Sequence, residues 1–570
     1  GGTFQADVTF AAGADLLTAS AGTDNVRLGE NAGASIASGG IENVLIGKDA
    51  GTAITTGDDN VALGVNALKT VTTASDNTAI GYSALELNNS GASNVAVGFK
   101  SLEANTTGNY STAVGNQSLT ANTTGSNTAV GHAALKTVTT GGNNVAVGRE
   151  ALEACTGDEN TAVGYQAGEA LTSGGLVAVG FQAGKSATTS VGNVLMGELA
   201  GTSITTGNNN TAVGSQSLST ADTGADNTCV GHDAGRNITQ GIQNTYIGSN
   251  AGDATSNASD NVAVGYDALG ANVGGQNNVA VGVRALRDAT VSSGNIYNVA
   301  VGSNAGRNTT NGTANTYIGG AAGLYAETND YTVFIGANAG YGSSGNGLTS
   351  DFNTAVGYEA GFKLQTTATK NTFVGTYAGY YNGSSSTANG ITTGANNTCI
   401  GYASYPSSAT ASDEFTLGDS NIGNLRCNDT SISSLSDERD KTNIVDVPLG
   451  LDFIKTLRPV AFDWDRRDGT KQGAKDFGFI AQELKTAQDA TDYADYMRLV
   501  HVGTVLVPDA ENSNATEDED GMPIRDVSGT MQECLEADPM KTYPVLIKAV
   551  QELSTALDAA LARIATLEAE

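Results

Sequence analysis

From about residue 25 to residue 418 one arrangement recurs: a polar residue, most often Asn, then a β-branched residue, a small one, an aliphatic one and a glycine. NVALG at 60–64, NTAIG at 77–81, NVAVG at 94–98 and NTCIG at 397–401 are copies of it. The closing glycine falls at Gly29, Gly47, Gly64, Gly81 and Gly98, and so on to Gly401 and Gly418. A period of about 17 residues with roughly 23 copies is the pattern of a solenoid. Within a copy, alternation by two predicts a short strand: Val95 and Val97 share one face and Ala96 takes the other. The valine pair is expected to fill the coil interior. The other face is alanine rather than polar, and a strand apolar on both faces is buried on both. Ala62, Ala79, Ala96 and Ala113 are therefore expected at the axis of several solenoids packed together, with Cys229 and Cys399 as buried thiols in the same rung position. Asn60, Asn77 and Asn94 should stack as a hydrogen-bonded ladder. Glycine and TTG-like segments make the corners, and stretches such as YSALELN carry the outer strand or turn.

After Gly418 the pattern changes. VDVPLGLDFIKTLRP has helical spacing at Leu451, Ile454 and Leu457 and stops before Pro459. VAFDWD alternates as a strand, and FGFIAQELKTA reads as a strand running into a helix. The acidic stretch at 509–521 reads as a loop; its EDEDG lacks the spacing of a calcium loop. Leu546, Val550, Leu553, Leu557, Ala560, Ile564 and Leu567 alternate by four and three, a heptad seam suited to a short coiled coil.

These patterns divide the chain into a remnant or shaft start at 1–20, a β-solenoid shaft at 21–420, a linker at 421–436 and a small α/β domain at 437–570 with a terminal helix at 543–570. The expected class is mainly β: parallel β-solenoids of several identical chains packed together, then an α/β domain ending in a coiled-coil helix; the resemblances named below imply that the assembly is a homotrimer and the shaft a β-solenoid or β-roll.

Composition narrows the function. A formal charge of -31, with 28 Lys and Arg spread thinly, argues against a nucleic-acid partner. Five scattered cysteines without a CxxC pair give neither a disulfide framework nor a zinc site. His132 and His232 lie about six rungs apart and cannot share a metal within one chain, so no metal or cofactor is expected. No apolar run approaches the roughly 18 residues of a membrane helix. The chain opens at Gly1, and an upstream region attaching it to an anchor is expected.

The repeat resembles the head of trimeric autotransporter adhesins of the YadA type, over roughly residues 20 to 420, which implies a trimeric left-handed β-roll. The copies here are longer, and the autotransporter's membrane barrel does not follow them. SDERDKTNI at 436–444, LRPVAFDWD at 457–465, GFIAQEL at 478–484 and the terminal helix resemble the C-terminal intramolecular chaperone of phage endosialidases, tail spikes and tail fibres. That resemblance implies a domain that holds three chains in register while they fold and then cuts itself off. It assigns a Ser–Lys dyad to Ser436 and Lys441 and a cut at the Ser436–Asp437 junction. Many family members carry a histidine ahead of the GFIAQE-like motif, where this chain has Asp476.

The chemistry fits those roles. A serine hydroxyl needs a base to take its proton, and a lysine serves as one when its amine is neutral. A spacing of five does not place the pair on one helix face, so Ser436 is expected in an extended segment and Lys441 at a helix start or turn. One cut per chain would be the only catalysis.

Receptor contacts, if carried by aromatic rings, are expected in the longer copies beyond about residue 280, at Tyr325, Tyr331, Tyr341, Phe352, Tyr380 and Tyr381, with 341–352 and 380–394 as protruding insertions; the alternative is that these rings only pack the corners of wider rungs. The expected partner is a host cell-surface receptor, polysaccharide among the classes considered. The leading reading is a phage tail fibre on the virion. The alternatives are a bacterial surface adhesin carrying the same chaperone, or a polysaccharide-degrading tailspike, which no pair of carboxylates supports.

Overall fold

The computed structural model describes residues 22–290, 294–343, 347–365, 367–380, 391, 393–419, 422, 441–465, 472–508, 515–517, 523–525, 529–537 and 542–569. For residues 472, 501–508, 515–517, 523–525, 529–534 and 536 the backbone alone is described. The chain forms two compact units, residues 1–330 and 331–570.

The first unit is a stack of three-residue strands, from Val26–Leu28 to Thr316–Ile318, each parallel to and in register with the next. Val95 pairs with Thr112, Ala96 with Ala113 and Val97 with Val114, one copy of the repeat apart. The rest of each rung is turns; among the described residues only Gly275–Gln276 and Gly294–Asn295 add a second short pairing. The fold is thus a parallel β-solenoid with one strand per coil, and the outer half of the repeat consists of turns.

The strand faces are the reverse of the sequence expectation. Ala62, Ala79, Ala96, Ala113 and Cys229 are completely buried within a single chain. They point into the coil, and having no free surface they cannot line an axis between chains. The coil is so narrow at the strand that a methyl or thiol fills it. The residues on either side, such as Val145 and Val147, face outward and remain partly exposed at 37% each.

Two positions trade interior volume in many rungs, although Ala162 with Gly168 and Ala178 with Gly184 are small at both. Where the strand centre is alanine, a leucine four residues past the repeat glycine often fills the coil, as with Ala62 and Leu68 or Ala96 and Leu102. Where the centre is large, that position is glycine: Tyr246 with Gly252, Tyr317 with Gly323. An added Cβ at Gly252 would lie 2.5 Å from the Tyr246 ring. The leucines adopt φ near +50°, a conformation that costs an L-residue roughly 1–2 kcal/mol. Burying each leucine side chain returns about 1.5–3 kcal/mol.

The asparagine ladder is present. The backbone N–H and Nδ2 of Asn60 both donate to Oδ1 of Asn43, at 3.0 and 3.1 Å, and Nδ2 also reaches the carbonyl of Ala74. The same bonds join Asn77 to Asn60 and Asn94 to Asn77. Ser111 keeps the contact with its backbone N–H to Asn94 Oδ1 and its hydroxyl. Leu176 donates to Asn160 Oδ1 but has no amide to offer onward.

The second unit begins with five more such strands, from Val333–Ile335 to Phe415–Leu417, with Phe334 and Phe373 in the interior. Cys399 is buried at the same interior position, which again removes it from any interchain axis. The C-terminal part has helix α1 (Leu451–Thr456), a hairpin of Val460–Asp465 with Gln472–Gly478, helix α2 (Ala481–Asp489) and a short turn of helix at Ala494–Met497. Strand Val500–Pro508 pairs antiparallel with Gly529–Ala537, and helix α3 (Tyr543–Ala569) ends the chain. Within the acidic stretch expected as loop, Ala515–Glu517 is a short strand paired with Pro523–Arg525.

Candidate functional site

Phe453 of α1, Leu484 of α2, Met497, Leu499 and Val545 of α3 form one buried cluster, with Leu457 and Phe479 packed on it. This core fixes the stretches that carry the LRPVAFDWD and GFIAQEL motifs. Arg458 from the first grips Glu483 from the second through two parallel bonds, Nε donating to Oε2 at 2.9 Å and Nη2 to Oε1. That geometry is the strong form of a carboxylate contact. The Arg458 hydrogen bond holds the Glu483 carboxyl below its ordinary range, and Glu483 in turn raises the guanidinium.

Asp476, standing where the resembling family often has histidine, lies on the hairpin opposite Phe462. Its Oδ2 accepts the indole N–H of Trp464 at 3.1 Å and its Oδ1 the backbone N–H of Phe477. An acidic oxygen in these two bonds steadies the hairpin and offers no imidazole for proton transfer.

Lys441 is exposed and opens an irregular segment that reaches the core at Leu449, so it lies neither at a helix start nor within a helix. Ser436 and Asp437, and with them the cleavage junction, fall outside the described residues. Downstream, Val445, Val447, Tyr493, Tyr496 and Pro544 line a cleft of about 240 Å³. Between α1 and α2 an apolar groove of about 720 Å³ runs beside Arg458 and Glu483.

On α3 only Val545 and Ala549 are buried against the core. The heptad positions Leu546, Val550, Leu553, Leu557, Ala560, Ile564 and Leu567 are all exposed in the single chain. No helix of the described residues is long and apolar enough to cross a membrane.

The aromatic residues beyond 280 divide by environment. Tyr331 and Phe352 are exposed and stacked, with centroids 5.4 Å apart and planes within 5°. Tyr341 is buried and stacks on Phe362 at 5.0 Å, while Leu348 and Ser350 are also buried. The 341–352 insertion therefore packs much of itself into the rung instead of protruding. Tyr325 and Tyr380 are half-buried, and Tyr381 lies outside the described residues.

Two features lay outside the sequence expectations. Glu150, Glu153 and Glu169 bring carboxylates within 4.8 Å of one another, but Arg149, Lys136 and Lys185 pair with them in turn. The second is a column of exposed side chains just past the repeat glycine, with Tyr82 stacked on Phe99 and Tyr165 on Phe181. Reading the residue after every glycine as a column would have found it.

Residues 436–493 match the family described as the chaperone of endosialidase. No curated protein and no solved structure matches the chain. The chain thus joins a parallel β-solenoid to a C-terminal region of intramolecular-chaperone type, and that match implies assembly of three copies into a fibre or tailspike.

Proposed function

We propose that the chain is the subunit of a homotrimeric phage tail fibre whose shaft is presented to the host surface, and whose C-terminal domain aligns three chains and then releases itself beside Ser436. The observation that carries this reading is the family match, which begins at Ser436 and takes in Lys441, Arg458 and Glu483. Two uncovered apolar surfaces support it. The heptad seam of α3 is left open by its own chain, and the residues flanking the buried strand centres, Val or Thr before and mostly Val or Ile after, form an outward stripe. Three copies packed on both surfaces would hide them.

In the cut, Ser436 supplies the hydroxyl nucleophile and Lys441 is the residue that accepts its proton. The Ser436–Asp437 peptide bond is hydrolysed: one water is consumed, a new carboxyl end forms, and the Asp437 nitrogen leaves as the amine. Among the expected receptor positions, Tyr331 and Phe352 keep exposed rings and are the proposed host contacts there.

Intact-mass measurement on assembled protein tests the reading. The expected result is two fragments split at Ser436, abolished by Ser436→Ala and by Lys441→Ala. A full-length mass from wild-type trimers leaves a chaperone that does not cut, and a monomer in solution removes the fibre reading altogether. A bacterial surface adhesin with the same domain remains the second reading, since the match itself does not specify a virion.

A further inference from the structure

Successive rungs of the first unit place the residue after the repeat glycine in one column, exposed at most rungs and half-buried at Tyr165. Tyr82 and Phe99 lie in it with rings stacked at 5.4 Å and 14°. Asn116, His132 and Arg149 follow, all exposed. Tyr165 and Phe181 then form a second stacked pair, also at 5.4 Å. Four rungs separate Phe99 from Tyr165, about 19 Å at the usual strand spacing of ~4.8 Å.

We propose that this column is a binding face for an extended, uncharged polysaccharide, with the two ring pairs as platforms and the polar residues between them as hydrogen-bonding partners. The inference rests on the shaft being presented at a cell surface, and it adds a recognition surface in the first unit to the contacts proposed at Tyr331 and Phe352.

Three observations select this ligand chemistry. Tyr82, Phe99 and Phe181 remain more than 40% exposed, so their rings contribute little to the core of their own chain. Exposed apolar groups gathered in one place mark a contact surface. A cation stands over one ring of each platform: Lys100 sits 5.9 Å from the Phe99 ring centre and Arg149 5.7 Å from that of Tyr165.

The neighbouring column supplies a polar edge. Gln182 Nε2 donates to Gln166 Oε1 at 2.8 Å, and Gln166 Nε2 to Glu150 Oε2 at 3.0 Å. Arg149 closes the chain on Glu150 Oε1. Each of these cations is matched by its own carboxylate, Lys100 by Glu103 and Arg149 by Glu150. The face therefore offers flat apolar surfaces, amides and an imidazole with no surplus charge. That combination fits the C–H faces and hydroxyls of neutral sugars and gives an acidic glycan no net attraction. Only a ligand several sugar rings long reaches both platforms.

The test uses the assembled full-length protein and the probes maltohexaose, cellohexaose, xylohexaose and an acidic oligogalacturonate, read by calorimetry and saturation-transfer NMR. The expected result is binding of at least one neutral hexasaccharide, weakened at least about fivefold by Phe99→Ala and by Phe181→Ala and unchanged by Tyr110→Ala, an exposed ring in another column. The proposal is overturned if no neutral probe binds at millimolar concentration, if both variants bind as wild type, or if oligogalacturonate alone binds. It is also overturned if either variant dissociates the trimer in sedimentation, because the column would then be covered by another copy. Self-cleavage and trimer mass are read on the same samples, so failure here is distinguishable from failure of the fibre reading.

Discussion

Leu451 donates its backbone N–H to the Glu552 carboxylate at 2.8 Å across 101 residues of sequence. Helix α1 has no side-chain cap of its own, its first flanking residue being Gly450. A residue of the terminal helix supplies the missing acceptor, so the first and last helices of the C-terminal region are locked at one point.

Glu552→Ala should therefore loosen α1 specifically. A lost helix cap costs about 0.5–2 kcal/mol. Hydrogen exchange is expected to speed up at Leu451–Thr456 while the shaft amides stay unchanged, and Glu552→Gln, which keeps an acceptor, should fall between the variant and wild type.

The Tyr246–Gly252 pair predicts a compensated exchange. Gly252→Leu alone drives a side chain into the Tyr246 ring and should destabilise by at least about 1–3 kcal/mol. Tyr246→Ala alone opens a cavity at a cost of about 3–5 kcal/mol. The double variant recreates the Ala62 and Leu68 arrangement, and urea unfolding should show it closer to wild type than either single change.

Proton chemistry at Asp476 is open to a direct experiment. If an imidazole at this place assists the cut, Asp476→His should raise the cleavage rate at neutral pH, followed by mass spectrometry over time. It should also weaken the Trp464 contact, seen as a shifted indole signal.

The Arg458–Glu483 contact sets an acid limit. The Glu483 pKa is lowered by folding, so its stabilisation is fully present above its ordinary value of 4.5 and is lost as pH falls through the folded value. Melting of the C-terminal region should decline below about pH 4.5 in wild type, and Glu483→Gln should flatten that decline.

The outward stripe gives an assembly test. Val145→Lys with Val147→Lys places two charges on exposed strand positions and leaves buried Ala146 untouched. Sedimentation should show loss of trimers with coil circular dichroism retained.

Much of this architecture was legible in the chain because it rests on local repetition. The glycine spacing gave the rung, Asn60 and Asn77 gave the ladder, and the heptad of α3 gave an uncovered helix seam. What the alternation could not decide was which face of Val95-Ala96-Val97 is inside, since both are apolar. The answer depends on coil width, a property of the turns rather than the strand. Leu68 and Gly252 record that width, but only when compared with Ala62 and Tyr246 several residues earlier. In the C-terminal region the motifs containing Arg458 and Glu483 were legible separately, whereas the two-pronged bond between them and the Asp476–Trp464 contact arise from tertiary approach. Exposed ring columns were missed because their members lie one repeat apart and look unremarkable singly.

The missing amide at Leu176 has a mechanical consequence. Most other rungs are tied to the next by buried Asn bonds, and where Ser111 replaces Asn its hydroxyl still accepts the Asn127 N–H, so a polar link is kept there. Leu176 replaces that link with apolar filling, close to where a Cβ on Gly168 would stand. Under tension along the fibre, separation should start or stop at this joint, leaving the coils on either side wound and able to close again when the load is removed.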